Sequence, residues 1–416
     1  MNDHNYKIGF LNHCQICYSK DLMQVIDLGY QPLADDLVKV SEFNRKCIYY
    51  PIKINLCRKC QYLQNNYIVG DKILYNKNYH YRPGISKSVV DNLKTLAKET
   101  IQNYDLKSED LVVDVGSNDG TLLSQFKYLG HSNLLGVEPT NTYVFHKEHN
   151  IDVINDYFNL QTSQKIYSKY EKAKIITTTN VFAHTNKLGD FINGIKKIIR
   201  KDGIFIVENH YLLDVIKRNQ FDTFYHEHLR TYSLKSLIRL MKQYGFYVYT
   251  AKTSARYGGN IQVHFTLQKV KPDSNVSKIL KTEKNFGLDN PKTYFRFNSN
   301  LEKIKIELFE YLNKNKSKFI IGKAFPARAS ILIHYFSFLK DYLQFIAEQP
   351  TSLKLKHYIP GTSLEIKSSN LLLKNKPDIM VILAWHMFDA ISEKWKQKGL
   401  NKTTFVSPLP KLKIYK

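Results

Sequence analysis

One short run of residues, Leu111 to Leu123 (LVVDVGSNDGTLL), constrains the fold of this chain more than any other. Its apolar residues stop at Gly116, and residues that suit a helix resume after Gly120. An apolar strand, a tight glycine turn and a helix N-terminus are the start of a strand–turn–helix unit in α/β folds. The run therefore predicts a doubly wound α/β domain with a ligand-binding turn after its first strand.

An acidic residue, Glu138, ends the next predicted strand, at about the 20-residue spacing at which nucleotide-binding α/β folds place a ribose-binding carboxylate. A dinucleotide-binding turn would read G-x-G-x-x-G, which this turn does not. The acidic first strand and the G-S-N-D-G turn instead resemble motif I of class I S-adenosylmethionine (SAM)-dependent methyltransferases. The resemblance implies SAM as cofactor, with contacts expected from Asp114, Gly116, Asn118, Asp119, Gly120, Glu138 and Asn180.

Further elements continue the doubly wound pattern. Ligands of open α/β sheets bind outside the carboxyl ends of the strands, where this chain places Asn180–His184 and Glu208–Tyr211. We therefore expect His184, Glu208 and Asn209 to face a substrate site. The predicted elements are helices over 86–104, 188–200 and 233–245, strands over 133–138, 174–179 and 203–208, and a closing hairpin of strands 246–251 and 261–268.

The octapeptide Phe221–His228 (FDTFYHEH) places Tyr225, His226, Glu227 and His228 in four consecutive positions. Imidazole titrates near neutral pH, and a phenol can donate a hydrogen bond to a developing oxyanion. By itself the segment is also compatible with a polar surface turn. Because it follows a helix that starts at the rim of the predicted sheet, we expect it on the same rim as the glycine turn.

Four of the five cysteines form two C-x-x-C pairs, Cys14/Cys17 and Cys57/Cys60. Two such pairs predict a tetrahedral zinc site, with a small β-rich insert between them. Disulfides are the alternative, which a cytoplasmic location disfavours. Four thiolates leave no open coordination position, so the metal is expected to be structural. Cys47 is left over and is interpreted as a buried thiol.

The chain has 416 residues, more than one hydrophobic core normally serves. A net charge of +24 favours anionic partners, but the lysines are spread along the chain, which argues against nucleic acid. With no signal-peptide pattern and no apolar run long enough to span a bilayer, we expect a cytoplasmic protein without a membrane partner, a monomer or weak homodimer. The predicted domains are 1–75 (zinc-binding), 76–272 (SAM-dependent methyltransferase) and 273–416 (α/β).

The C-terminal third also alternates between helical and strand patterns. Residues 275–300 are polar, and Gly287 and Pro291 suggest a loop-rich connector. The alternation that follows predicts a second Rossmann-like domain. Its predicted elements are a helix over 301–313 and strands over 319–322, 379–384 and 404–406.

Over essentially its whole length the chain resembles nucleotide-sugar C-methyltransferases. The motifs that carry the resemblance are the cysteine pairs, VDVGSNDG, NVFAH, VENHYL, FDTFYHEH, YGGNIQVH, PGTSLEI and PDIMVILAW, in that order. The resemblance implies an α/β protein: a class I (Rossmann-like) methyltransferase core between an N-terminal zinc-binding domain and a C-terminal Rossmann-like α/β domain. It also implies methylation of carbon 3 of a 4-keto-6-deoxy nucleotide-sugar.

The resemblance assigns roles within this site. It implies His228 as catalytic base, Glu227 as the flanking acid that orients it, Tyr225 as an assisting phenol and His184 as a second active-site histidine. A carbon next to a ketone needs such a base, and donors must stabilise the enolate oxygen. From the residues alone His226 stays open as the base, because it shares a face with His228 in an extended segment. Aromatic residues expected to line the pocket are Tyr79 and Tyr81.

One turn departs from the family pattern. Gly322–Ala329 (GKAFPARA) stands where relatives usually carry a glycine-rich turn, and Lys323 fills a position where small residues are normal. We interpret the C-terminal domain as scaffold and pocket wall, with Lys323 and Arg328 either contacting a substrate phosphate or forming a solvated basic turn. His386 replaces a residue that is commonly Asn.

The sequence thus predicts a SAM-dependent C-methyltransferase acting on carbon 3 of a dTDP- or GDP-linked 4-keto-6-deoxy sugar, for branched-chain sugar biosynthesis. The expected partner is the nucleotide-diphosphate-sugar. One alternative is the same architecture acting on another activated ketone or on a sugar oxygen. A more distant alternative, suggested by the charge and the cysteine pairs, is a zinc-containing nucleic-acid-binding protein.

Overall fold

The computed structural model describes His4 and residues 6–75 and 81–416. Tyr79, predicted as a substrate contact, lies outside these residues. None of the helices within them is both long and apolar enough to cross a membrane. The described residues form an N-terminal region up to residue 75, a central region up to about residue 272, and a C-terminal region.

The N-terminal region contains β1 (Gly9–Phe10), β2 (Leu22–Pro32), β3 (Val38–Lys39), β4 (Tyr49–Cys57), β5 (Tyr62–Asn65), β6 (Tyr67–Ile68) and α1 (Asp71–Leu74). Strand β4 pairs antiparallel with β2 on one side and with β5 on the other. Its buried residues Ile52, Ile54 and Leu56 alternate along the strand, so one face packs against the core. The predicted β-rich insert between the cysteine pairs is confirmed.

The central region contains α2 (Lys87–Asn103), β7 (Val112–Val115), α3 (Thr121–Tyr128), β8 (Leu134–Val137), β9 (Asp152–Ile154), α4 (Leu160–Lys169), β10 (Ala173–Thr179), α5 (Leu188–Ile198), β11 (Ile199–His210), α6 (Leu212–Lys217), β12 (Arg230–Thr231), α7 (Leu234–Gln243), β13 (Tyr247–Ser254) and β14 (Asn260–Thr266). Seven strands form one sheet in the order β13-β14-β11-β10-β7-β8-β9, parallel except that β14 runs against β11 and β13. The predicted doubly wound sheet and its closing hairpin are confirmed.

Strand β7 lies at the point that determines where a ligand binds. All four of its residues are buried, as expected for a parallel strand covered by helices on both faces. The chain continues from β7 to β8 on one side, and β10 lies on the other side. This change of direction opens a crevice at the carboxyl end of β7, where the glycine turn lies.

The predicted loop-rich connector over 275–300 is wrong, because two helices occupy it: α8 (Ser274–Phe286) and α9 (Pro291–Lys314). The residues that suggested a loop are helix caps. Gly287 ends α8 with a φ of 79°, and Pro291 is the first residue of α9. A buried apolar stripe on α9 explains why a polar segment is helical: Tyr294, Phe297, Leu301, Ile304, Leu308 and Leu312.

The rest of the C-terminal region contains β15 (Ile320–Lys323), α10 (Arg328–Tyr335), α11 (Leu339–Tyr342), β16 (Ile346–Glu348), β17 (His357–Tyr358), β18 (Glu365–Ser368), β19 (Ile379–Ile382), α12 (Phe388–Gln397), β20 (Thr404–Ser407) and β21 (Lys413–Tyr415). The parallel strands β20-β19-β15-β16-β18 form the centre of its sheet, which confirms the predicted Rossmann-like domain.

The three regions exchange strands. Strand β3 of the N-terminal region completes the edge of the C-terminal sheet beside β17. Strand β12, which follows the octapeptide directly, pairs with β5 of the N-terminal sheet. The segment that follows the octapeptide is therefore part of the N-terminal sheet.

Candidate active site and zinc centre

The four paired cysteines meet in the N-terminal region. The sulfur atoms of Cys14, Cys17, Cys57 and Cys60 all lie within 4.8 Å of one another, and the Cys17 and Cys57 sulfurs are 3.8 Å apart, well beyond a disulfide bond. Backbone N–H groups donate to two of the sulfurs, at 3.3 Å from Ile16 to Cys14 and from Cys60 to Cys57. Four clustered thiols with amide donors fit a closed structural zinc site.

Cys47 departs from its predicted burial. It is partly exposed, and its sulfur accepts a hydrogen bond from the backbone N–H of Gly361 at 3.2 Å. The contact joins the N-terminal and C-terminal regions, and Cys47 takes no part in the cysteine cluster.

The glycine turn after β7 forms a cradle that a side chain would fill. Gly116 has a φ of 72°, and a Cβ added to it would lie 2.4 Å from Val181 Cγ2. Glu138 at the end of β8 accepts the backbone N–H groups of Asn118 and Thr140, each at 2.8 Å and each on a different carboxylate oxygen. Each oxygen keeps a free lone pair that a ribose hydroxyl can use, so the turn fits SAM.

The other predicted cofactor contacts divide into two groups. Asp114 lines the cavity, accepts a hydrogen bond from the Thr177 hydroxyl at 2.7 Å, and has its pKa raised to about 7 by burial. Asp119 and Gly120 stabilise the conformation of the turn. Asp119 accepts hydrogen bonds from the Thr121 hydroxyl and the Gly84 N–H, and Gly120 precedes α3 with a φ of 77°. Neither is found among the described cavity-lining residues.

A cavity of about 330 Å³ runs from the glycine turn to the octapeptide. This volume suits a small-molecule site. The N-terminal region contributes Asp35, Asp71 and Tyr75 to its wall, and the C-terminal region contributes Arg328 and Lys354. All three regions therefore build one site.

His228 lies in this cavity with a defined tautomer. Its Nδ1 is 2.8 Å from the carbonyl oxygen of Thr223, which can only accept, so Nδ1 carries the proton and Nε2 is the basic nitrogen. Burial, followed by the nearby imidazoles His184 and His210, lowers the pKa of His228 well below its usual value. The ring is therefore neutral near pH 7 and able to accept a proton.

The expected role of Glu227 in orienting His228 is wrong, because the Thr223 carbonyl occupies that position. Glu227 is buried and lines the cavity beside Asp35 and Lys354. Burial raises the pKa of Glu227 well above its usual value, Asp35 raises it further, and Lys354 opposes both. The Lys354 Nζ lies 3.4 Å from Asp35 Oδ1.

The other aromatic residues of the site surround His228. Its ring centroid lies 4.1 Å from that of Tyr225 and 5.0 Å from those of His184 and His210. His184 is 2.6 Å from the Tyr75 hydroxyl through Nδ1, and burial lowers its pKa to about 4. His210 was not among the predicted site residues, although it lies two positions after Glu208 and so on the same face of β11.

His226 is neither solvated nor in the cavity lining. Its side chain is buried, and its Nε2 lies 3.1 Å from the carbonyl oxygen of Tyr50 in β4. This contact ties the octapeptide to the N-terminal sheet. It leaves His228 as the histidine of the pair that reaches the cavity.

Glu208 acts on the site through Arg256. Their side chains form a buried salt bridge of 3.0 Å, and Arg256 lines the cavity. Asn260 donates to Glu208 at 3.0 Å and to Asn180 at 3.2 Å, which links two predicted site residues. Asn209 points to the opposite face of β11 by strand alternation and is not among the described cavity-lining residues.

Tyr81 lines the cavity, and its hydroxyl forms a hydrogen bond with that of Tyr257. The Tyr81 carbonyl also accepts a hydrogen bond from the Asn118 side chain at 3.1 Å, next to the glycine turn.

The 322–329 turn is not a solvated basic turn, because both of its cations are buried. Lys323 donates to the carbonyl of Ala347 at 3.0 Å and is absent from the described cavity lining, which argues against the predicted phosphate contact. Arg328 does line the cavity, but its guanidinium pairs with Asp222 of the octapeptide at 2.6 Å. His386 also lines the cavity, with its pKa lowered to about 3 by burial.

A glycine cradle at the switch point of a doubly wound sheet, with an acid at the end of the next strand, fits the cofactor site of a class I SAM-dependent methyltransferase. Two solved structures align with part of this chain. The Synechocystis PCC 6803 magnesium protoporphyrin IX methyltransferase has 12% identity and a TM-score of 0.34 and covers 43% of this chain and 83% of its own. A SAM-dependent methyltransferase from Clostridium acetobutylicum ATCC 824 has 11% identity and a TM-score of 0.34 and covers 43% and 92%.

Three family models match consecutive parts of the chain: a zinc binding domain over 14–75, a methyltransferase domain over 80–251 and a C-methyltransferase C-terminal domain over 255–410. C-methyltransferase NovU of Streptomyces niveus is 26% identical over 411 residues, which cover 97% of each chain. Together these matches support a SAM-dependent C-methyltransferase built from these three domains.

Loss of zinc is expected to destabilise the segment next to the active site. Cys57→Ser removes one of four ligands, so the zinc content should fall below one ion per chain and the unfolding temperature should drop by roughly 5 °C or more. Because β5 pairs with β12, hydrogen exchange should also quicken at 229–231. Elemental analysis, thermal melting and amide exchange measure these effects. Cys47→Ser is the matched control and should keep its zinc; equal zinc in both variants would contradict the site.

Gly116→Ala should weaken SAM binding through two separable effects. The left-handed backbone costs about 1–2 kcal/mol with a Cβ, and the added methyl collides with Val181. Gly130→Ala is the matched control, because Gly130 has a φ of 93° with nothing within 4 Å of its added Cβ. Calorimetry should show at least about tenfold weaker SAM binding for Gly116→Ala alone. Equal SAM affinity in the two variants would place the cofactor elsewhere.

Proposed function

We propose that the protein transfers a methyl group from SAM to carbon 3 of a 4-keto-6-deoxy nucleotide-sugar, dTDP- or GDP-linked, through an enolate. The observation that carries this proposal is the tautomer of His228, whose Nδ1–H is bound to the Thr223 carbonyl. A neutral imidazole with a free Nε2, in a cavity that continues to the cofactor turn, is the base that deprotonation beside a ketone requires.

One side chain removes the proton in this reaction, and two others stabilise the charge that results. His228 Nε2 takes the proton from carbon 3, and the electron pair of that C–H bond forms the enolate, with negative charge on the keto oxygen. Tyr225 and His184 lie beside His228. Burial raises the pKa of Tyr225 well above its usual value, so its phenol keeps its proton at neutral pH, and His184, whose pKa burial lowers to about 4, is a neutral imidazole with one N–H to donate. Both can donate hydrogen bonds to the oxyanion. Bound SAM supplies an electrophilic methyl group to the enolate carbon.

The cations of the cavity suit the nucleotide diphosphate. Arg256 and Lys354 line the wall, and each has one carboxylate partner, Glu208 and Asp35. A diphosphate can share these cations or replace their partners. The net charge of +24 favours the approach of such a substrate over that of a neutral sugar.

His228→Gln should remove the base without removing the cofactor site. Exchange of the carbon 3 hydrogen with deuterated solvent should slow by about 10²–10⁴-fold, and methyl transfer should slow with it. SAM affinity should stay within about twofold of the wild type, because the glycine turn is untouched. Proton NMR of a dTDP-linked 4-keto-6-deoxyglucose measures the exchange.

His226→Gln is the matched control from the same octapeptide and should retain exchange, since His226 contacts the Tyr50 carbonyl. Undiminished exchange in His228→Gln would move the base to His184 or His210. With ¹³C-methyl SAM, a product label coupled to carbon 3 supports the proposal. A label on carbon 5 would overturn the position of attack, and a label on oxygen would overturn the enolate route.

A further inference from the structure

The carboxylate of Asp222, in the octapeptide, accepts three hydrogen bonds from side chains of the C-terminal region. Asp222 is 0% exposed. The Arg328 guanidinium donates two hydrogen bonds to it, from Nε to Oδ2 at 2.7 Å and from Nη2 to Oδ1 at 2.6 Å. Trp385 Nε1 donates a third, to Oδ2 at 2.9 Å. A bidentate charged pair of this kind fixes orientation as well as position.

Arg328 is itself fixed. Its Nη1 donates to the carbonyl of Tyr257 at 3.1 Å, its Nη2 also reaches Gln220 Oε1 at 3.2 Å, and its guanidinium lies 5.0 Å from the Trp385 ring centroid. The partners come from both the central and the C-terminal regions. Because Asp222 satisfies its charge, Arg328 supports the cavity wall better than it serves as a free phosphate ligand.

The next residue after Asp222 is the one that sets the state of His228. Asp222 and Thr223 are neighbours in one tight turn, Phe221–Thr223, and the Thr223 carbonyl belongs to the peptide unit that follows the one they share. The Thr223 carbonyl accepts the Nδ1–H of His228 at 2.8 Å. A rotation of the Asp222 backbone would therefore move the acceptor that holds Nε2 in its basic form.

We propose that Arg328 and Trp385 are positioning residues for His228: by clamping Asp222 they hold the Thr223 carbonyl where it selects the Nε2-basic tautomer. The C-terminal domain thereby controls the proton-transfer step without touching the reacting atoms. The inference rests on the proposed function only for its kinetic measurement.

Two conservative variants test this relay, the effect of Arg328 and Trp385 on His228 through Asp222 and Thr223, while leaving the net charge unchanged. Trp385→Phe removes one donor to Asp222 and keeps an aromatic ring. Arg328→Lys keeps the positive charge and loses the bidentate fork. Since Trp385→Phe changes no charge, a change at His228 in that variant comes from geometry. Arg328→Lys keeps a cation but moves it, and the Arg328 charge itself lowers the His228 pKa, so the tautomer is the readout for that variant. Trp395→Phe is the matched control, because Trp395 is also buried in the C-terminal region but packs in a cluster that does not include Asp222.

The direct measurement is an NMR titration of the His228 imidazole in protein with ¹⁵N- and ¹³C-labelled histidine, assigned with His228→Gln. A loosened carbonyl stabilises the imidazolium less, so the His228 pKa should fall further and the Nε2–H tautomer should become populated. Trp395→Phe should match the wild type. Wild-type tautomer and pKa in both Trp385→Phe and Arg328→Lys would overturn the proposal.

The kinetic measurement is solvent deuterium exchange at carbon 3 of the ketosugar. Both variants should slow exchange by about 10–100-fold, with KM for the ketosugar nearly unchanged, and the acid limb of the pH profile should move to lower pH. A purely structural loss would lower the folded fraction and the thermal stability without moving that limb. If the wild type catalyses no exchange, the proposed function fails, while the NMR titration still decides the relay.

Discussion

A carboxylate with no exposed surface must find its partners inside the protein, and Asp222 is such a group. Its partners Arg328 and Trp385 lie 106 and 163 residues further along the chain. Breaking a buried pair on one side leaves an uncompensated charge, so the C-terminal region and the octapeptide are bound to keep this contact. The position of the C-terminal region over the active site follows from it.

The other side of the octapeptide is held by the N-terminal region. His226 contacts the Tyr50 carbonyl, and β12 continues the N-terminal sheet. The octapeptide is thus fixed at Asp222 by the C-terminal region, and at His226 and through the following strand β12 by the N-terminal region. The zinc centre, which has no open position for a substrate, serves catalysis by stabilising the sheet on which one end of this segment rests.

The sequence predicts best the features that depend on a few adjacent residues. The glycine turn and the cysteine pairs each occupy a few adjacent residues, and both formed as expected. The helices over 275–300 were missed because Gly287 and Pro291 have the same local signature in a helix cap as in a loop. His210 could have been found from its alternation with Glu208 along β11.

Contacts that leave no local pattern in the sequence could not be predicted in this way. The acceptor for His228 is a backbone carbonyl, which leaves no mark in the sequence, so the adjacent Glu227 took its place in the prediction. Burial decides the roles of Lys323 and Arg328, and a single basic turn does not reveal whether another region will cover it. The same holds for Arg256 and Lys354, which only the folded chain brings to the cavity.

The central claim is that three regions build one cavity in which His228 Nε2 removes the proton beside the ketone. A crystal structure with S-adenosylhomocysteine and a nucleotide-linked 4-keto-6-deoxy sugar tests it most directly. The account predicts His228 Nε2 within about 3–3.5 Å of carbon 3, with Nδ1 still bound to the Thr223 carbonyl. A sugar bound outside this cavity, or one whose carbon 3 is nearest to His184 or His210, would contradict it.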